Sequence, residues 1–153
     1  MYLVVDNTVL SNFALVGRID LLAQLSPRHL MMAEDAWNEW LTGVRIGRLP
    51  SNDLPWLAVI RLDESEQNRR DEFMPPLDIG EAACLALALS RGCALMTDDL
   101  IARREARRLG VPLSGTIGAL ISLMDDQLLT LAEANRLLRQ MIVMGYRSPL
   151  QSL

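Results

Sequence analysis

No lysine occurs among the 153 residues, so all fifteen basic side chains are arginines. That absence removes the chemistry of a P-loop lysine, a Schiff-base lysine and the lysine of a response-regulator acid pocket from this chain acting alone. Histidine occurs once, at His29, which excludes a histidine-rich zinc site and makes a nucleophile–histidine–acid triad a poor fit. Cys84 and Cys93 form no C-x-x-C pair and lie in the apolar runs AACLAL and GCALM. They read as reduced, buried, small hydrophobes of a cytoplasmic protein. The start, MYLVVD, has no basic segment ahead of an apolar one, and no apolar run reaches about 18 residues, so neither a signal peptide nor a membrane span is expected. Acidic residues outnumber basic ones 19 to 15, for a net charge of −4. Nucleic-acid binding through a broad basic face, which needs many phosphate neutralisations, is therefore disfavoured.

What is present is globular. Half of the residues are hydrophobic and 22% are charged, apolar enough to expect that a partner covers some surface. The length suits one domain, 1–153. Tyr2–Val5 is a short β-branched run with no polar alternation, the pattern of a strand buried on both faces, and it ends on Asp6. Thr8–Val16 and Arg18–Leu25 read as helices broken at Gly17. His29–Ala33 is a second strand, followed by a helix capped by Glu34 or Asp35 and running to about Val44, with Trp37, Trp40, Leu41 and Val44 on one face. Gly47–Pro55 is a loop, and Trp56–Leu62 fits a strand or a helix equally well. Ser65–Phe73 reads as a polar helix. Asp78 caps a helix over Ile79–Arg91 that Gly92 stops. Cys93–Thr97 is a strand running into Asp98-Asp99, followed by a helix to Leu109 and a short strand Val111–Leu113. Gly115-Thr116-Ile117-Gly118 opens a further helix, and Thr130–Met144 closes the chain with Leu131, Ala134, Leu138 and Met141 along one stripe. Apolar strands alternating with helices imply an α/β three-layer sandwich, a mainly parallel sheet flanked by helices.

The acids form the chemical pattern. In an open parallel sheet, ligands bind beyond the carboxyl ends of the strands. Two strands here run into Asp6 and Asp98-Asp99, Glu81 opens the helix before the second of these and Glu39 lies in the helix after His29–Ala33; if these elements are neighbours, four or five carboxylates meet on one rim. Carboxylates crowded together raise each other's pKa, and a hard divalent cation such as Mg²⁺ or Mn²⁺ relieves the repulsion with oxygen ligands. Such a site supports metal-assisted phosphodiester hydrolysis. Each acid also has a local explanation. Asp78-x-x-Glu81 is a capping-box spacing, Asp98 or Asp99 is an ordinary N-cap, Asp99–Arg103 is an i, i+4 pair, Asp6 suits a turn, and Glu39, flanked by Trp37 and Trp40, suits the edge of a helix's solvent face. Composition and spacing leave the two accounts level.

Several motifs in order resemble the PIN domain, the ribonuclease fold of VapC-type toxins, over nearly the whole chain. Asp6-Asn7-Thr8-Val9-Leu10 is similar to that family's opening D-[ST]-[ST]-x-L element, and Ala36-Trp37-Asn38-Glu39 to its V-x-x-E helix. Asp78-Ile79-Gly80-Glu81-Ala82-Ala83 matches a D-x-G-E-A element of one branch, and Met96-Thr97-Asp98-Asp99 its strand-end T-x-D. Arg103, Ala106, Gly110 and Gly115-Thr116-Ile117-Gly118 fit the same branch. The chain departs from the pattern at Asn7, where a small hydroxyl residue is common, at Ala33, where proline is frequent, and at Glu81, which is one methylene longer than the usual aspartate.

The resemblance implies a Mg²⁺- or Mn²⁺-dependent endoribonuclease. Asp6 and Glu81 would bind the ion, with Asp99 (or Asp98) completing or orienting the set, Thr8 beside Asp6 as a substrate contact, and Glu39 ordering or deprotonating the attacking water. Arg103, Arg104, Arg107 and Arg108 would grip RNA, although a solvated helix face interrupted by Glu105 accounts for them as well. It further implies a homodimer and a toxin role with a small antitoxin protein as partner. Helix 130–144, with Leu137, Leu138, Met141 and Met144, would then serve an interface or the core. The rival reading from another class is a PIN-fold interaction module without turnover. A haloacid-dehalogenase-type phosphohydrolase fits poorly, since Asp6-Asn7-Thr8 is not D-x-D, and no G-x-G-x-x-G marks a dinucleotide site.

Overall fold

The structure, a computed structural model, describes residues 2–25, 29–50 and 53–153. Among these residues five parallel strands form one sheet: β1 (Tyr2–Val5), β2 (His29–Ala33), β3 (Ala58–Ile60), β4 (Ala94–Met96) and β5 (Leu113–Ser114), in the order β3-β2-β1-β4-β5. β1 is central, and Leu3, Val4 and Val5 are fully buried, as expected of a strand covered on both faces. The chain builds outward from β1 through β2 to β3, then crosses back to lay β4 and β5 on the other side. The order therefore reverses between β1 and β4, the place where an open α/β sheet leaves a crevice beyond its strand ends.

Among the described residues, seven α-helices flank the sheet: α1 (Asn7–Leu15), α2 (Glu34–Arg45), α3 (Glu64–Glu72), α4 (Ile79–Arg91), α5 (Leu100–Arg108), α6 (Thr116–Asp125) and α7 (Leu131–Val143). α4 packs against α2, α3 and the central strands. Its run from Ala82 to Ala88 is buried all round, the signature of a helix enclosed by other elements. Asp78 and Glu81 cap it reciprocally, and Gly92, at φ 64°, ends it in the left-handed conformation that costs glycine little. Among the described residues no helix is long and apolar enough to cross a membrane.

The elements differ from the sequence expectations where short-range signals conflict. Arg18–Leu25 yields only a 3₁₀ helix, Ile19–Gln24. The ambiguous Trp56–Leu62 contains an edge strand three residues long. The fifth strand starts later than Val111, because Val111 N donates to Ala106 O to close α5 and Pro112 joins the sheet only through its carbonyl, which accepts from Leu95 N at 2.9 Å. α2 springs directly from β2, so its N-cap is Ala33; Glu34 and Asp35 fall in the first turn, where the helix dipole favours them. On α7 the buried stripe is Ala134, Leu137, Leu138 and Met141, whereas Leu131 is 55% exposed. Met144 is exposed too. Cys84 is buried and Cys93 only half-buried, and both are free thiols. Ser51 and Asn52 of the expected loop lie outside the described residues.

Leu87 lies at the centre of α4 with no exposed surface. Leu87→Ala should lower unfolding stability by about 2–5 kcal/mol through lost burial and a residual cavity. Leu131→Ala should move it by less than about 0.5 kcal/mol. Urea melts of both variants check the contrast.

Candidate functional site

The switch between β1 and β4 is held by a carboxylate. Val5 pairs with Met96, so the two strands end in register. Asp6 N continues the ladder by donating to Met96 O at 3.1 Å. The Asp6 side chain is 2% exposed and caps α1. Its Oδ1 accepts from Thr8 N at 2.9 Å and Thr8 Oγ1 at 2.5 Å, and its Oδ2 accepts from the Thr97 hydroxyl. Each hydroxyl also reaches the segment leaving β4: Thr8 Oγ1 accepts from Asp98 N at 2.8 Å, and Thr97 Oγ1 from Asp99 N at 3.2 Å.

A cavity of about 200 Å³ opens beside Asp6, with Asn7, Glu39, Gly80 and Glu81 in its wall. Glu39 comes from the second turn of α2. Its Oε1 accepts from Gly80 N at 3.1 Å and its Oε2 from Asn7 Nδ2 at 3.3 Å. Gly80 makes this possible, since a Cβ there would come within 2.5–2.8 Å of the Glu39 carboxyl atoms. Glu81 folds back on its own helix end, accepting from Asp78 N at 3.2 Å.

Burial dominates the electrostatics and outweighs the hydroxyl donors. It pushes Asp6 from its ordinary 3.8 up to about 6. Burial and the charges of Asp78, Asp99 and Asp6 push Glu81 up to about 7, and burial with the Asp78 charge raises Glu39 as well. Among the described residues lining this cavity there is no arginine or histidine to offset the acids.

The sequence-derived acids separate into groups. Asp6, Glu39 and Glu81 line one cavity. Asp99 does not line that cavity, though its charge helps raise Glu81; it caps α5 by accepting from Ala102 N at 2.8 Å. Asp98 turns elsewhere. Its oxygens accept from Thr116 N at 3.0 Å, Thr116 Oγ1 at 2.5 Å and Asn12 Nδ2 at 3.0 Å, and it lines a different cavity. The local caps and the acid cluster thus coexist. Thr8 spends its hydroxyl on Asp6 and Asp98, which makes it a positioning group rather than one presented to substrate. Arg103 makes no ion pair with Asp99; its Nη1 donates to Thr97 O and Ser114 O. Arg104 is exposed and lines neither cavity, and Arg108 pairs with Glu105.

Asn7, Asn12 and Thr116 escaped sequence reasoning as polar partners of these acids. The spacing of Thr8 and Asn12, four residues apart on one helix face, was the available signal for Asn12.

A PIN-domain family profile matches residues 2–152. This chain belongs to the PIN-domain family. No curated protein sequence matches it. Among solved structures, this PIN domain is similar to a PilT N-terminus domain protein from the hyperthermophilic archaeon Sulfolobus solfataricus, at 12% identity and a TM-score of 0.56, over 80% of this chain and 92% of that one. It is also similar to VapBC2 from Rickettsia felis, solved bound to a DNA fragment from its promoter, at 13% identity and a TM-score of 0.51, over 75% of this chain and 98% of that one. At such identities the likeness is one of fold.

The donor set suits the divalent cation that PIN nucleases typically use. Every polar group in the Asp6 cavity that is free to coordinate is an oxygen, the acids outnumber any cation, and Asn7 Oδ1 is buried with no hydrogen-bond partner. Among the described residues no three acid, thiol or imidazole groups yet stand close enough to share an ion. Asp6 is occupied by its threonines and Glu81 by its cap, and both are side-chain arrangements that an ion could displace.

Because Asp6 is held protonated to about pH 6 in the fold and to about 3.9 in an unfolded chain, the folded state binds the extra proton and loses stability as pH rises through that window. Asp6→Asn cannot ionise. In EDTA it should match the parent at pH 4 and exceed it at pH 8 by about 1–3 kcal/mol, as read by denaturant melts at the two pH values.

Proposed function

We propose that this PIN domain is a Mg²⁺- or Mn²⁺-dependent endoribonuclease, the toxin of a toxin–antitoxin pair acting in the cytoplasm. The observation that carries the reading is the Asp6–Glu39–Glu81 cavity at the strand-order reversal, with oxygen donors, raised carboxyl pKa values and no lining cation. Asp6 and Glu81 would hold the ion, and Asp99 would complete or orient the set once Glu81 leaves its cap. Asp98 is better suited to organising the neighbouring loop, because its oxygens are committed to Thr116 and Asn12. A bound cation supplies Lewis-acid activation of water and stabilises the leaving oxygen of the phosphodiester.

Glu39 is the group suited to take the proton from the attacking water. Its carboxylate is fixed by Gly80 N and Asn7 Nδ2, and partial burial raises its pKa towards the range in which a general base works well near neutrality. Gly80 keeps the space that this carboxylate needs. RNA rather than DNA is the substrate we favour, on the resemblance to VapC toxins. The likeness to VapBC2, a toxin–antitoxin assembly bound to promoter DNA, supports a small antitoxin as partner. A homodimer follows from the same resemblance.

Single-stranded RNA should be cut in Mn²⁺ and remain intact in EDTA. Asp6→Asn and Glu81→Gln should each lower the rate at least about 100-fold, the scale of a lost catalytic group. Cleavage that survives both chelation and Asp6→Asn would overturn the reading. Absence of cleavage with Mn²⁺ bound would leave an interaction module.

Millimolar Mn²⁺ should also raise the melting temperature by mass action on the folded state, with a smaller gain for Asp6→Asn. The gain should shrink below pH 6, where protons compete for the same oxygens. Differential scanning fluorimetry reads both effects.

A further inference from the structure

A second cavity, of about 630 Å³, lies beyond the C-terminal ends of β4 and β5. Its size falls within the roughly 300–1,000 Å³ of small-ligand sites. The two cavities share a wall. Thr8 lines the acidic one, Asp98 lines the second, and Asp98 N donates to Thr8 Oγ1 at 2.8 Å. A chain threading past the strand ends would meet both.

The second cavity has the opposite charge. Arg103, Arg107 and Arg147 line it, and among the described residues none of the three forms an ion pair. Arg103 is fixed by its bonds to Thr97 O at 2.7 Å and Ser114 O at 2.9 Å, whereas Arg107 and Arg147 are exposed and free to meet a ligand. The one carboxylate in the wall, Asp98, already accepts from Thr116 and Asn12, so it competes weakly for these guanidiniums. Ile117, Ile121 and Tyr146 give the wall an apolar and aromatic stretch, with Ser114 and Ser148 as its other polar side chains. Leu100 at the same cavity is 76% exposed, an apolar group that a ligand would cover.

Arginines without acidic partners call for an anion, and guanidinium forks suit phosphate oxygens. An apolar and aromatic wall beside them suits the face of a nucleobase. A free phosphate would leave that wall unused, and a purely apolar ligand would leave the arginines bare.

We propose that this cavity is a nucleotide subsite, which takes the base and phosphate of the residue adjoining the scissile bond. Arg107 and Arg147 hold the phosphate, Tyr146, Ile117 and Ile121 face the base, and any sequence preference of cleavage is set here. The proposal rests on the nuclease reading of the neighbouring pocket.

The test separates the two. ¹⁵N-labelled protein is titrated, in EDTA, with the four nucleoside 5′-monophosphates, inorganic phosphate, the free nucleosides and an acidic peptide. Nucleoside monophosphates should shift the amides of Gly115, Gly118 and Ile121 more strongly than phosphate or nucleoside alone. The double variant Arg107→Ala/Arg147→Ala, altered only at exposed positions, should weaken that binding about tenfold. In Mn²⁺ the same variant should raise KM for RNA with kcat little changed. Shifts without RNA cleavage would uphold nucleotide binding by the cavity but sink the nuclease reading, and with it the place beside a scissile bond. Metal-dependent cleavage with no shifts and an unchanged KM would overturn the subsite alone. Shifts as strong with inorganic phosphate overturn the base-binding part, and shifts with the acidic peptide only would make the cavity a protein-docking site instead.

Discussion

Two threonine hydroxyls and one buried carboxylate hold the functional rim together. Thr8 and Thr97 donate to opposite oxygens of Asp6 and accept from the backbone N–H groups of Asp98 and Asp99. One acid thereby ties the start of α1 to the exit of β4, and the path of the chain after β4 depends on it. An ionised carboxylate taken out of water is costly unless it is paired or hydrogen-bonded. Here the donors only partly offset burial, so the group stays responsive to protons instead of being a silent cap.

That unresolved charge gives the rim its two-sided character. On the β1 side, Glu39 and Glu81 add negative charge around a small cavity whose described lining has no arginine; on the β4–β5 side, three arginines face a larger one. The boundary between them is the segment Thr97-Asp98-Asp99. Neighbouring residues leaving a strand point to opposite sides, which is how adjacent aspartates come to have different neighbours: the charge of Asp99 acts on Glu81, and Asp98 is bonded to Thr116 and Asn12.

Much of this was legible in the chain itself. Unbroken apolar runs ending in acid located β1 and β4, since a strand covered on both faces leaves no room for polar alternation. Asp78-x-x-Glu81 announced a capping box, and the box is there, yet the same Glu81 borders the acidic cavity; a local role does not exclude a second one. Other features needed three dimensions. The direction of Asp98 depends on Thr116, eighteen positions away, and the anchoring of Arg103 on two strand-end carbonyls is invisible in its spacing from Asp99. β3 stayed ambiguous because three residues are too few to show a period, and β5 shifted because Pro112 has no N–H to give. Glu34 and Asp35 looked like caps, but α2 starts without a linking turn.

The short outer strands have a bearing on assembly. β3 has three residues and β5 only two, with Pro112 next to β5, so neither margin of the sheet offers a length of unpaired backbone on which another strand could template. Joining two such sheets edge to edge would gain few hydrogen bonds. The proposed homodimer would therefore have to form through the helical flanks rather than through either margin of the sheet.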